Sequence, residues 1–289
     1  MKKDNPYIDF FKQFKKNRSA VAGLVIASVL VIFAIFAPLI APYAPEIQDL
    51  SNRLIPPSWT QEGNLNHLLG TDDFGRDLFS RIVYGARISI MVGTISVGIS
   101  LFFGLIMGVF SGYYGGKIDI LIMRVVDIML SIPAILLAIV IVAILGPSLY
   151  NAMIAIGIVG IPTYARIVRA SVLGEKEKEY VIASRVNGST NGRLMFNVIL
   201  PNCTTPIIVQ ATMGFASAVL EAAGLSFLGL GAQPPTPEWG AMLADSLQYI
   251  TTASWMILYP GLAIFLTVLG FNLIGDGLMD VLDPKLKEK

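Results

Sequence analysis

Long uncharged runs dominate the chain from residue 19 onward. No charged residue occurs between Ser19 and Pro45, and the apolar stretch from Ala20 to Ile40 holds 21 residues. At a rise of about 1.5 Å per residue, this stretch is long enough to cross a hydrocarbon core about 30 Å thick. A secretory signal has an apolar region of only about 7 to 15 residues. We therefore interpret the run as a first membrane span.

Five further apolar runs follow, so we predict an all-α integral membrane protein with six transmembrane helices. Turn-forming sequences separate several of the runs, among them SGYYGG at residues 111–116 and Gly146-Pro147-Ser148. The predicted spans are 20–41, 88–111, 118–145, 149–165, 204–225 and 255–274, with an extracytoplasmic loop at 42–87.

Residues 1–19 are predicted to form a short amphipathic helix on the cytoplasmic membrane surface. Four aromatic residues share one face at i, i+3, i+4, i+7 spacing: Tyr7, Phe10, Phe11 and Phe14. Three lysines take the opposite face: Lys12, Lys15 and Lys16. Such a helix lies in the interface rather than crossing the bilayer. A disordered basic tail is the alternative.

The placement of Lys and Arg predicts the orientation of the chain. Of the 21 basic residues, 16 fall in the segments 1–19, 112–118, 166–200 and 276–289. Cytoplasmic loops carry an excess of Lys and Arg. We therefore expect these segments, and both termini, on the cytoplasmic side.

Composition excludes several classes of function. Only 14% of the residues are charged and 54% are hydrophobic, whereas a soluble domain carries about a quarter charged residues. A formal net charge of +1 with scattered basic residues argues against a nucleic-acid partner. The single cysteine, Cys203, has no disulfide or CxxC partner. The single histidine, His67, has no companion in the sequence for a zinc site or a Ser-His-Asp triad.

A polar segment at 173–201 interrupts the apolar pattern and is predicted to form two short helices. The first should begin among three glutamates that suit the positive end of a helix dipole: Glu175, Glu177 and Glu179. Asn187-Gly188 supplies a left-handed C-terminal stop, and Ser189 or Thr190 can cap the second helix.

The first of these helices has the features of a docking surface. The small pair Ala183-Ser184 leaves a shallow notch, where a partner can approach closely. Tyr180 and Arg185 are of residue types enriched at protein interfaces. The residues themselves therefore predict a docking helix outside the membrane.

The same segment resembles the cytoplasmic EAA loop of ATP-binding-cassette import permeases. The family pattern has two alanines where this chain has Ala183-Ser184, an exchange of one small residue for another. In that family the loop forms a coupling helix seated in a cleft of the ATPase subunit. The resemblance implies six coupling residues: Glu179, Tyr180, Ala183, Ser184, Arg185 and Gly188.

Three longer segments resemble the second permease subunit of peptide and nickel importers: His67 to Ser89, Leu220 to Leu243 and Asn272 to Lys287. The runs MRVVDIML from Met123 and GAQPPTPEWG from Gly231 are most similar to the dipeptide branch. The resemblance implies a type I importer permease fold, with the permease domain at 88–289, and transport of dipeptides. Oligopeptides and nickel or metallophores remain alternative substrates.

The resemblance also implies a set of partners in the cytoplasmic (inner) membrane. These are a second homologous permease subunit, two ATPase subunits that bind ATP and Mg²⁺, and an extracytoplasmic peptide-binding protein. Residues 111–118 approach a P-loop but lack its first glycine and final hydroxyl. We therefore expect no enzyme activity and no cofactor in this chain itself. An ion-coupled carrier is the alternative, although the six spans show no clear internal repeat.

Arg124, Asp127 and Glu221 are charged residues inside predicted spans, where a charge costs about 2.5 to 3.5 kcal/mol at the helix centre. Arg124 and Asp127 are three residues apart and can form an ion pair on one helical face. A place in the translocation pathway is the second interpretation. Glu221 has alanine and glycine neighbours near the outer end of its span, where we expect it to line the pathway and meet a peptide's ammonium group.

Two outer segments carry weaker signals. Residues 71–77 have the composition of a turn and a helix cap, and are predicted to lead into the second span, either as a scaffold or as a contact for a substrate-delivering protein. The run Pro234 to Pro237 cannot be helical and should be a stiff connector. Trp239 after it fits an anchor at the membrane interface.

Overall fold

The computed structural model describes residues 13–282, and within this range the regular elements are helical. The amphipathic helix predicted for residues 1–19 lies largely outside the described residues, as does the C-terminal end of the permease segment. The helices of eight or more residues are α1 (Arg18–Ile40), α2 (Leu78–Tyr114), α3 (Gly116–Leu130), α4 (Ala134–Leu145), α5 (Leu149–Glu175), α6 (Glu179–Val186), α7 (Thr204–Phe227), α8 (Trp239–Ser246) and α9 (Trp255–Leu282).

Small residues let α1 pack closely on α9. Its buried positions are Ala20, Gly23, Ala27, Leu30, Ala34 and Ala37. A Cβ atom on Gly23 would lie 2.6 Å from the carbonyl oxygen of Gly270 in α9, so only glycine permits this approach. Helices in lipid associate through such close packing because lipid supplies little hydrophobic driving force between them.

Helix α2 begins earlier than the hydrophobic pattern predicts. Its first residue is Leu78 rather than residue 88, and Asp77 caps it by accepting a hydrogen bond of 2.8 Å from the backbone N–H of Ser80. The helix has 37 residues. At about 1.5 Å per residue it is longer than the hydrocarbon core, so its ends extend beyond the bilayer. The predicted extracytoplasmic loop at 42–87 therefore ends in helical structure.

The third predicted span is wrong as a continuous helix. Residues 118–145 are divided between α3 and α4, whose axes differ by 91°. Pro133 lacks a backbone N–H and disfavours helical geometry at Ile132, which explains the break. The hydroxyl of Ser131 donates a hydrogen bond of 2.7 Å to the carbonyl of Ile128 at the end of α3. A largely apolar run predicts burial in lipid but does not reveal such a bend.

Five helices are long and apolar enough to cross a membrane, and the bent pair α3–α4 gives a sixth when its two helices are counted as one broken span. The prediction of an all-α protein with six spans is confirmed. Helices α5 and α9 extend beyond the predicted ends at 165 and 274, to Glu175 and Leu282. The apolar pattern marks the part of a helix that lies in lipid, whereas backbone hydrogen bonds continue it into polar surroundings.

The segments 41–77 and 229–254 pack together at the end of the bundle where α2 begins. We call them the outer segments, because the predicted orientation places them outside the cytoplasm. The guanidinium of Arg81 donates to the carbonyls of Pro45, at 3.0 Å, and Pro235, at 3.2 Å. Pro234 to Pro237 are non-helical, as predicted. Trp239 is only 2% exposed and donates to the carbonyl of Ile82, so its prediction as an interfacial anchor is wrong.

Candidate functional site

The candidate site has two parts, a candidate docking helix at the end of the bundle predicted to be cytoplasmic and a polar cavity among the spans. The docking helix is α6, and Val181 fixes it to the bundle because this side chain is fully buried. The hydroxyl of Tyr180 donates to the carboxylate of Glu175, which also pairs with Lys178 at 2.7 Å. Glu175 therefore ends α5 instead of beginning the docking helix. Of the three glutamates, only Glu179 lies in the first turn of α6.

The end of the docking helix follows the sequence prediction. Gly188 has a φ of +83°, a left-handed conformation that favours glycine. The backbone N–H of Ser189 donates to the carbonyl of Ser184 at 3.2 Å, and the two hydroxyls lie 2.9 Å apart. Thr190 caps the next helical turn by accepting a bond from the N–H of Arg193.

The outward face of α6 is apolar and unpartnered. Ile182 is 45% exposed and Val186 is 82% exposed, and residues four apart share one side of a helix. Ala183 and Arg185 are also exposed. In a charged segment outside the spans, such a patch is typical of a protein contact.

Polar contacts near the docking helix join three longer helices, α2, α3 and α5, to one another. Arg169 of α5 donates two hydrogen bonds of 2.6 Å to the carboxylate of Asp119 in α3. Ser111 of α2 donates to the same carboxylate. Lys176 donates to the carbonyl of Gly112 at 3.0 Å. These contacts tie the ends of α2, α3 and α5 together next to the docking helix.

The polar cavity has a volume of about 280 Å³ and contains Glu221 of α7. Its polar lining comes from α2, α5 and α7: Ser96, Ser100, Thr163, Tyr164, Gln210, Ser217 and Glu221. Ser96 and Ser100 donate to the carbonyls of Met153 and Gly157 and so tie α2 to α5. The sequence analysis selected only Glu221, since hydroxyl and amide side chains inside spans do not stand out as charges do.

The break between α3 and α4 faces this cavity. Leu130 and Ala134, on either side of the break, are among the lining residues. Non-helical backbone at membrane depth is tolerated where it is buried in protein or lines a water-filled cavity. The bend is therefore placed where its free backbone groups can be satisfied.

The predicted ion pair between Arg124 and Asp127 is wrong. Asp127 instead accepts a hydrogen bond of 2.6 Å from Arg166 of α5. Among residues 13–282, no ion pair is recorded for Arg124, which is exposed. Arg166 could not be selected from the sequence, because it is 39 residues from Asp127 and only the packing of α3 on α5 brings them together.

The outer segments hold a buried network of charged side chains. Asp72 pairs with Arg76 at 2.5 Å and lies 3.6 Å from Arg81. His67, lone in the sequence, contacts Asp77 at 3.0 Å, and Ser80 also donates to Asp77. The serine bonds to the aspartate and not to the histidine, so the arrangement is a helix cap rather than a proton relay. Within the described residues no three His, Cys, Asp or Glu side chains are grouped to hold a metal ion.

Comparison with known proteins places the chain in a family. Residues 100–288 match the family described as the binding-protein-dependent transport system inner membrane component. Residues 5–57 match the N-terminal TM domain of oligopeptide transport permease C.

Relatives that match 98% of this chain are named as permeases for dipeptides or di- and tripeptides. The chain is 55% identical to the dipeptide transport system permease protein of Alkalihalophilus pseudofirmus, over 98% of this chain and 91% of that protein. It is 52% identical to the protein of the same name in Haemophilus influenzae, covering 98% and 96%. Identity to the di/tripeptide transport system permease protein of Pseudomonas aeruginosa is also 52%, covering 98% and 93%.

A solved structure shares the fold. A chain of the MetNI methionine ABC transporter, in inward-facing conformations, aligns with a TM-score of 0.58 and 21% identity, covering 70% of this chain and 97% of that chain. The likeness concerns the arrangement of helices alone. With the matches above, it shows that this chain belongs to the binding-protein-dependent transport system inner membrane components, as a multi-pass inner-membrane protein with the fold of ABC importer permeases.

Proposed function

We propose that the chain is the membrane-spanning permease subunit of an ATP-driven importer of dipeptides. The observation that supports dipeptides as the substrate is the 55% identity to a dipeptide permease over 98% of the chain. The polar cavity around Glu221 supports it, because a peptide with a free ammonium group needs a wet, acidic passage through the bilayer.

The docking helix supports a partner that supplies the energy. Its exposed apolar face, with Ala183 beside Ile182 and Val186, fits a cleft in an ATPase subunit. The coupling residues are Glu179, Tyr180, Ala183, Ser184, Arg185 and Gly188. ATP and Mg²⁺ belong to two such partner subunits, and this chain translocates solute without an enzyme reaction or a cofactor of its own.

Two further partners complete the transporter in this proposal. A second homologous permease subunit covers the apolar sides of α3 and α4, where exposed residues include Leu121, Ile128, Leu136 and Ile144. An extracytoplasmic peptide-binding protein delivers the substrate to the outer segments. Both termini lie in the cytoplasm, because the basic segments flank the inner ends of the spans.

An importer of oligopeptides is the second candidate. It is favoured by the match of residues 5–57 to the N-terminal domain of an oligopeptide permease. Nickel or a metallophore is the remaining alternative from the sequence.

Uptake by cells with this chain deleted and then restored tests the substrate. We expect deletion to abolish uptake of a labelled dipeptide, while uptake of a labelled pentapeptide and of nickel is unchanged. Restoration of the chain should recover dipeptide uptake. Loss of pentapeptide or nickel uptake instead would contradict the dipeptide assignment and support the corresponding alternative.

A further inference from the structure

The ion pair between Asp127 and Arg166 is unusually exposed for its position. It joins α3 to α5 at 2.6 Å, and the two side chains are 56% and 54% exposed. Both residues belong to helices that form membrane spans. Charged groups at such positions face water or protein rather than lipid, because hydrocarbon solvates them poorly.

The position of the pair along the two helices identifies the side that it faces. Leu130 comes three residues after Asp127, and Thr163 comes three residues before Arg166. Both of these neighbours line the cavity that contains Glu221. Residues three apart lie on one face of a helix. The pair is therefore on the cavity side, between the cavity and the cytoplasmic ends of α3 and α5.

Helix α3 has few other attachments to the bundle. Val126 is its only buried residue. Its second polar contact, between Asp119 and Arg169, has more hydrogen bonds and is less exposed than the Asp127–Arg166 pair. That contact has two hydrogen bonds of 2.6 Å, side-chain exposures of 18% and 33%, and an additional bond from Ser111. Helix α3 thus has one firm contact near the docking helix and one exposed, single contact near the cavity.

We propose that the Asp127–Arg166 ion pair is the cytoplasmic gate of the cavity. The pair closes the inner mouth when it is formed, as it is here, and opens in each transport cycle as α3 turns about the Asp119–Arg169 contact. Exposed ion pairs contribute little net stability, so this one separates at small cost. The inference rests on the proposed function, because a gate requires a passage for solute.

Reversible cross-linking of the complete transporter in membrane vesicles tests the gate. In a Cys203→Ser background, cysteines replace Asp127 and Arg166 in one variant. In a matched control they replace Asn17 and Asp280, whose side chains are hydrogen-bonded at 2.9 Å where α1 meets α9 and do not line the cavity. A bis-methanethiosulfonate reagent then joins each pair. We expect the gate cross-link to lower ATP-driven uptake of a labelled dipeptide by at least about tenfold, with recovery in reductant, and the control cross-link to change it less than about twofold. Equal uptake by the cross-linked and reduced gate variant would overturn the proposal.

ATP hydrolysis in the same vesicles separates the gate from the dipeptide assignment. If the Cys203→Ser parent takes up no dipeptide, the proposed substrate fails. The rate of ATP hydrolysis then tests the gate. We expect the gate cross-link to lower this rate at least about tenfold and the control cross-link to change it less than about twofold. Unchanged hydrolysis in the cross-linked gate variant would overturn the gate.

A charge exchange tests the pairing without a reagent. Asp127→Arg and Arg166→Asp should each lose uptake, and the double variant should recover it to within about threefold of the parent, because the attraction between opposite charges is restored. A double variant as inactive as the single ones, at equal amounts in the membrane, would contradict an ion-pair gate.

Discussion

At the scale of single residues, Glu221 is the side chain that we propose to act in transport. It is half-buried in α7 and lines the polar cavity together with Gln210 and Ser217. A carboxylate in this position offers a counter-charge to an ammonium group that must cross a medium of low dielectric constant. Its chemistry therefore matches one end of a peptide.

We expect Glu221→Gln to lower uptake of labelled dipeptide by roughly 10- to 100-fold, because a hydrogen bond to a charged group contributes about 1.5 to 3 kcal/mol. Uptake is measured in cells at equal membrane amounts of the protein. Thr212→Ala is the matched control on the same helix, since that hydroxyl bonds to the carbonyl of Ile208 and does not line the cavity. Full uptake with Glu221→Gln would remove this residue from the pathway.

Two neighbouring aspartates in the outer network should respond in opposite ways to neutralisation. Burial, and then the charge of Asp72, raise the pKa of Asp73 above its usual value, and a buried oxygen of Asp73 has no hydrogen-bond partner. Asp72, by contrast, pairs with Arg76 and lies beside Arg81.

We therefore expect Asp73→Asn to leave the thermal unfolding midpoint of the purified complex unchanged or higher at pH 7. A carboxyl group with a raised folded-state pKa loses stability as pH rises from the unfolded value, about 3.9, through the folded value. The advantage of Asp73→Asn should therefore disappear near pH 4. Asp72→Asn should lower stability by about 3 to 5 kcal/mol, because it leaves the buried Arg76 guanidinium with only the more distant carboxylate of Asp73, at 3.9 Å. Tryptophan fluorescence on heating measures both, and a lower midpoint for Asp73→Asn at pH 7 would contradict the argument.

At the scale of elements, the docking helix α6 is a short, exposed element attached through one buried side chain, Val181. Its outward face is free, so a bulky residue placed there should block a partner without unfolding the chain. Ala183 is the best position, because arginine is nearly as good a helix former as alanine.

We expect Ala183→Arg to reduce dipeptide uptake by at least about tenfold and to release ATPase subunits from the membrane fraction, since an interface tolerates a large inserted side chain poorly. Co-purification of the ATPases measures the contact directly. Glu177→Arg adds the same side chain at an exposed position just before the helix and should retain binding. Normal uptake with Ala183→Arg would show that α6 does not dock through this face.

At the scale of the whole molecule, the basic segments predict which end of the bundle faces the cytoplasm. The arrangement of the helices alone does not distinguish the two orientations in the membrane. The outer segments 41–77 and 229–254 contain the buried network around Asp72, and the docking helix lies at the opposite end. Labelling from one side of the membrane therefore distinguishes the two orientations.

In a Cys203→Ser background, Glu62→Cys should react with a membrane-impermeant maleimide added outside intact spheroplasts, because Glu62 is exposed in an outer segment. Val186→Cys should react only after the membrane is opened, since Val186 is exposed on the docking helix, which is predicted to be cytoplasmic. Reaction of Val186→Cys in intact spheroplasts would reverse the predicted orientation.

The sequence by itself determined the class of protein, the number of spans and the short helix α6, whose role in docking stays a prediction. The thickness of the hydrocarbon core sets the length of each apolar run. The helix stop at Gly188 and the helix cap at Thr190 depend only on residues within a few positions in the chain. It also selected Glu221, because a charge within a span has a large desolvation cost.

Only the tertiary structure decided the bend between α3 and α4, the burial of Trp239 and the partner of Asp127. Pro133 permits a break, but its angle of 91° depends on how both helices pack around the cavity. Asp127 has a basic residue three positions away in Arg124, yet it pairs with Arg166 from another helix. Contacts between residues far apart in the chain depend on helix packing, which hydrophobic periodicity does not specify.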